Sequence, residues 1–163
     1  MTVSDRLREL GAELPAVAAP VAAYVPAVRV GDLVYTSGQL PFVDGELLHA
    51  GKVKDISAAG HSDSSGSVSA EKAKAAARVA ALNALAAVDD LVGIDNVERI
   101  IKVTGFVASA PGFNGQPGVI NGASELFGEI FGEAGQHARS AVGVNELPLN
   151  TPVEVEIIVQ VRS

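Results

Sequence analysis

Cysteine and tryptophan are absent from this 163-residue chain, and aromatic residues make up only 4% of it. Without cysteine there is no disulfide framework and no thiolate chemistry, and such a chain is at home in a reducing compartment, so a cytoplasmic location is expected. Basic residues are also scarce: 12 Lys and Arg against 19 Asp and Glu leave a net charge of −7. That balance repels a phosphate backbone, and few aromatic faces are available for stacking on bases, so nucleic acid is not an expected partner. No stretch offers the ~20 uninterrupted apolar residues of a membrane helix. The opening Met1-Thr2-Val3-Ser4-Asp5-Arg6-Leu7 lacks the apolar run of a signal peptide. Gly-rich phosphate loops, Cys/His metal spacing, a Gly-x-Ser-x-Gly elbow and internal repeats are missing too, which removes the common enzyme classes.

What remains is aliphatic. Hydrophobic residues amount to 48%, and with so few aromatics the core must be built from Val, Leu, Ile and Ala in sheet-and-helix layers. The length fits one domain over residues 1–163. Residues 1–19 read as a helical arm, capped at Ser4, with Leu7, Leu10 and Leu14 at helical spacing and with Gly11 and Pro15 ending it. Ala27–Val30 and Leu33–Thr36 flank Gly31-Asp32, a pair suited to a type II′ hairpin turn. Residues 44–69 are polar and small, without hydrophobic periodicity, and read as a long inserted surface loop.

Ala70–Val92 is the clearest helix, with Ser69 as cap, Gly93 as stop, and Val79, Leu82, Leu85, Val88 and Val92 as the expected apolar stripe. A β-branched strand follows over Val97–Val107. A second helix spans about Gln116 to Phe131, where Ile120, Ala123, Phe127 and Ile130 recur every three or four residues. Two strands close the chain, Arg139–Val144 and Val153–Val161, with a turn around Pro148-Leu149-Asn150 between them. In the last strand Val153, Val155, Ile157, Val159 and Val161 share one face; Glu154, Glu156, Ile158 and Gln160 share the other. The presence of Ile158 in the polar row implies that a second subunit covers part of that face.

The candidate chemistry centres on His137-Ala138-Arg139-Ser140-Ala141-Val142. By spacing alone, Arg139 beside Glu154 and Glu156 reads as a surface ion pair contributing about 0–1 kcal/mol. Three blocks in order change that reading: Thr36-Ser37-Gly38-Gln39-Leu40-Pro41, Ala138-Arg139-Ser140 and Leu147-Pro148 resemble the signature blocks of the YjgF/RidA family of reactive-intermediate deaminases, also known as endoribonuclease L-PSP-like proteins. The resemblance runs from about Pro20 to Val161 and is to a longer-chain subgroup.

The resemblance implies an α+β, chorismate-mutase-like fold: a mixed β-sheet with two helices on one face, assembled as a homotrimeric barrel with ligand clefts between subunits. It implies that Arg139 grips a substrate carboxylate and that Glu154 orients or activates water. Tyr24, Ser37, Gly38, Asn121 and Ala141 would line the pocket. The implied reaction is hydrolysis of small 2-imino or enamine acids to 2-oxo acids and ammonia, with neither metal nor organic cofactor. Ala141 stands where the family usually has Cys, so thiol chemistry is excluded, and a non-catalytic carboxylate-binding regulatory trimer is the alternative. His49 and His61 read as solvated loop residues, Tyr35 as a packing aromatic, and His137 has no assigned role.

Overall fold

In the computed structural model, which describes residues 1–17, 19–20, 22–55 and 66–163, the chain begins with helix α1 (Val3–Glu9). Its cap is Thr2, not Ser4. Thr2 Oγ1 accepts the Asp5 amide at 3.1 Å and the Asp5 carboxylate accepts the Thr2 amide at 3.2 Å, a reciprocal capping box. Ser4 is engaged elsewhere: its amide and hydroxyl both donate to the Asp95 carboxylate at 2.7 Å. This pair of hydrogen bonds to a residue far along the chain pins the arm, and Leu7 is buried.

Strands β1 (Ala27–Val30) and β2 (Leu33–Thr36) form the expected hairpin, with Gly31 at φ +59° and Asp32 outside the positive-φ region. The segment read as one loop carries structure at both ends. β3 (Phe42–Val43) and β4 (Glu46–Leu47) pair around Asp44 and Gly45, both at positive φ (50° and 83°) as in a type I′ turn. β5 (Val53–Lys54) pairs in parallel with β6 (Val68–Ser69), and Val53 bridges to Ser109. Residues 56–65 of that reading, His61 included, lie outside the described residues.

Helix α2 (Ala70–Val92) starts where Ser69 Oγ accepts the Lys72 amide and stops at Gly93, φ +83°. Its buried face keeps Leu85 and Val88 of the expected stripe, but alanines supply most of it. Ala73, Ala76, Ala77, Ala80, Ala81 and Ala84 are fully buried with Leu85 and Val88, whereas Val79 and Leu82 are only half-buried. The cause is the close approach of helix α3 (Gln116–Phe131), where a Cβ on Gly122 would collide with the Lys74 carbonyl oxygen. Two backbones that close leave room for methyl groups only, so small residues supply the contact.

Strands β7 (Val97–Ala108), β8 (Ala138–Val144) and β9 (Val153–Val161) complete a five-stranded sheet of order β1-β2-β9-β7-β8. β7 and β8 run parallel, joined through α3, and the other pairs are antiparallel, so the sheet is mixed as expected. The helices α2 and α3 cover one face, and α1 packs against α3. Val34, Val159 and Ile100 form one fully buried register row on that face, each side chain contributing about 1.5–3 kcal/mol by leaving water. No helix among the described residues is long and apolar enough to cross a membrane.

The opposite face is left bare by the helices. Register places Val28, Tyr35 and Ile158 in one row on it, and Glu154, Phe106 and Val142 in another. Val28 is 48% exposed, Tyr35 42% and Val142 43%.

Candidate functional site

The residues singled out from the sequence fall into two groups, one on each side of the sheet. Arg139 is aligned with Val103 on β7, which is aligned with Ile157 on β9. Aligned residues project to the same side, and Val103 and Ile157 are buried beneath the helices. Arg139 therefore points toward α3 from the sheet's edge. There its Nη1 donates to Asn121 Oδ1 at 2.8 Å and to Ser124 Oγ at 3.2 Å. Asn121 and Ser124 are one helical turn apart, on the flank left by the buried stripe of Ile120, Ala123, Phe127 and Ile130. Ala141 shares the Arg139 side and packs at the margin of the core.

Arg139 has an uncommon electrostatic setting. It is only partly exposed, and among the described residues no carboxylate pairs with it and neither Nε nor Nη2 has a hydrogen-bond partner. The ion pair that spacing alone suggested is not formed. Both acceptors that hold Nη1 are neutral, so the positive charge stays uncompensated and two donors on one edge of the guanidinium are unspent.

The second group lies on the bare face. Glu154, aligned with Phe106 and Val142, points away from the helices and is half-buried. Its carboxylate rests on Gly38, where an added Cβ would lie 2.7 Å from the carboxyl carbon. Glycine is the residue that leaves this space. Burial, reinforced by the charge of Glu156, raises the Glu154 carboxyl above its ordinary pKa. No donor among the described residues is hydrogen-bonded to it.

Gly38 also lines a cavity of about 160 Å³ with Tyr24, Pro26, Leu40, Phe42 and Leu149. Leu149 and Asn150 both sit at positive φ (57° and 59°), a conformation costly for a branched side chain that shapes this wall. Ser37 stands just behind the cavity: its hydroxyl donates to the Val25 carbonyl at 2.6 Å and its amide to the Pro26 carbonyl at 2.8 Å. It fixes the Tyr24 segment against the end of β2.

Two participants carried no assigned role in the sequence. Ser124 bridges Arg139 to His137, whose Nε2 lies 2.8 Å from Ser124 Oγ and whose Nδ1 lies 2.6 Å from the Gly135 carbonyl. The only advance signal for Ser124 was its position one turn beyond Asn121. Arg139 and Glu154 thus stand on opposite faces of the sheet.

Comparison with known proteins agrees with the fold. The family model described as "YjgF/chorismate_mutase-like, putative endoribonuclease" matches residues 4–161. A Trypanosoma cruzi relative, Protein TCP17, is 38% identical over 163 aligned residues, covering 99% of this chain and 95% of the relative. A 2-iminobutanoate/2-iminopropanoate deaminase from Dermatophagoides farinae is 29% identical over 144 residues, covering 88% of this chain and 89% of the relative. A crystal structure of an Agrobacterium tumefaciens protein of unknown function superimposes with a TM-score of 0.83 at 40% identity, covering 98% of this chain and 92% of that one. With nearly its whole length matched and the mixed sheet and helices in place, the chain belongs to the YjgF/chorismate-mutase-like family.

Proposed function

We propose that this chain hydrolyses small 2-imino acids, the tautomers of enamine acids, to 2-oxo acids and ammonia, at clefts where copies of the chain meet in a trimer. The observation that carries the reading is Arg139: a partly covered cation without a carboxylate partner among the described residues, with an open edge of two donors. Such an edge matches a carboxylate in a two-pronged grip. The deaminase named among the relatives supports the reaction class, and the apolar bare face supports assembly, since Val28, Tyr35 and Val142 gain by being covered.

In this mechanism the Arg139 edge of one copy holds the substrate carboxylate, and Glu154 of a neighbour faces the imine carbon. Glu154 takes a proton from water as the water oxygen bonds to that carbon and the C=N π pair moves onto nitrogen, which is protonated. Collapse of the resulting carbinolamine re-forms C=O, breaks the C–N bond, and releases ammonia, with Glu154 relaying the protons. Its raised pKa suits this exchange, and the cleft supplies orientation.

The decisive assay generates 2-iminopropanoate with an amino-acid dehydratase and follows pyruvate. Acceleration over buffer, lost in Arg139→Ala, is expected; equal rates for protein and buffer overturn the reading. A second reading, carboxylate binding without turnover, is favoured by the separation of Arg139 and Glu154 within the protomer. Arg139-dependent pyruvate binding with no acceleration distinguishes it. The endoribonuclease label has little support here, because the net charge of −7 gives RNA no electrostatic track.

A further inference from the structure

We propose that His137 is a positioning residue that aims Arg139, acting through Ser124, so that the guanidinium offers its Nε–Nη2 edge to the ligand. The proposal rests on the carboxylate reading of the site and adds to it which edge of Arg139 is used and what selects that edge.

The hydrogen-bond directions follow from the Gly135 carbonyl. A carbonyl oxygen cannot donate, so the 2.6 Å contact to His137 Nδ1 requires the proton on Nδ1. The other ring nitrogen of the neutral imidazole then carries a lone pair, and at 2.8 Å it accepts the Ser124 hydroxyl proton. With its proton committed to His137, Ser124 presents only lone pairs to Arg139, and Nη1 donates into them at 3.2 Å. The second Nη1 proton goes to Asn121 Oδ1 at 2.8 Å. Both protons of one terminal nitrogen are spent, which fixes the guanidinium about its long axis. Nε–H and both Nη2–H remain, and Nε–H with the Nη2–H beside it forms a parallel, coplanar pair spaced for the two oxygens of a carboxylate.

The imidazole is itself held. Phe127 meets it edge-on, with ring centroids 6.0 Å apart and planes at 89°, and Gly135 is buried against the Phe127 and Gly128 backbone, where a Cβ would collide. The relay therefore starts from a carbonyl fixed by close packing and ends at the charge that meets the substrate. A hydroxyl without the histidine would be free to rotate its proton toward Arg139 and weaken the hold.

The test has two arms. Imidazole ¹⁵N spectra of the unliganded protein are expected to show His137 protonated at Nδ1 and accepting at Nε2, with Ser124→Ala moving the Nε2 and Arg139 Nη1 signals. An Nε2-protonated ring, or signals indifferent to Ser124→Ala, overturns the proposal whether or not any carboxylate binds. In the second arm, Ser124→Ala and His137→Leu should raise KM for 2-iminopropanoate, or Kd for pyruvate, about tenfold while kcat changes little. Ser124→Thr and His137→Gln, which keep the hydroxyl and the acceptor, should recover most of the loss. Unchanged KM and Kd in Ser124→Ala contradict the proposal. A wild-type protein with neither turnover nor pyruvate affinity contradicts the site reading, while the spectra still decide the relay.

Discussion

Arg139 and Glu154 leave the same sheet in opposite directions: Arg139 stands in the row of Val103 and Ile157 under the helices, Glu154 in the row of Phe106 and Val142 on the bare face. Because side chains alternate along a strand, no rotamer brings the two carbons that bear them to one side. A reaction using both needs a second copy of the chain. The bare face with its exposed valines and tyrosine offers the surface for that copy to cover.

Arg139→Lys keeps the charge but replaces a flat edge of two donors with a point ammonium. It should lower kcat/KM about ten- to hundredfold, and Arg139→Ala about a thousandfold. Steady-state kinetics on 2-iminopropanoate check the order. A lysine variant equal to wild type removes the two-pronged grip.

The Glu154 carboxyl titrates above its ordinary value because it is buried, and Glu156 adds to the effect. A raised folded-state pKa means the folded chain binds this proton more tightly than the unfolded one. Its contribution to stability is fullest below the ordinary carboxylate range and falls as pH rises through the ordinary value to the raised one. Glu154→Gln should therefore raise Tm near neutral pH, and the gain should vanish below the ordinary range. Thermal unfolding of both proteins across pH reads this difference, and a glutamine variant less stable at neutral pH contradicts it.

Gly38 and Gly122 separate a functional from a structural glycine. At Gly38 the added methyl meets the movable end of Glu154, so Gly38→Ala should stay folded with an unchanged Tm while kcat drops about tenfold or more as the carboxylate shifts. At Gly122 the methyl meets the fixed Lys74 backbone, and Gly122→Ala should cost about 1–3 kcal/mol. Denaturant unfolding together with kinetics on each variant tests the contrast.

The sequence shows the fold wherever one local rule decides. Gly31-Asp32, the Ser69 cap, the Gly93 stop and the alternation of Val153–Val161 all reappear as expected. It misleads where distant contacts choose between local options. Thr2 and Ser4 are equally good caps, and only Asp95, 91 positions beyond Ser4, takes Ser4 away. Alanines on α2 look neutral to a periodicity argument until Gly122 brings α3 against them. The Asp44-Gly45 turn carried its own signal, yet strands of two residues are too short to show alternation. At the site, Arg139 and Asn121 came from the family resemblance and are hydrogen-bonded. The Gly135–His137–Ser124 relay joins α3 to the segment leading into β8, and no spacing rule spans that crossing.

Mixing Arg139→Ala with Glu154→Gln after joint refolding asks most directly whether the site is shared between copies. Each variant alone lacks one half-site in every cleft and should be nearly inactive. Random assembly of the mixture restores both halves in about a quarter of the clefts, so about a quarter of wild-type activity should return. Activity that stays at the level of the separate variants, when the unmutated protein is active and the mixture has assembled, contradicts a site built from Arg139 of one copy and Glu154 of the next.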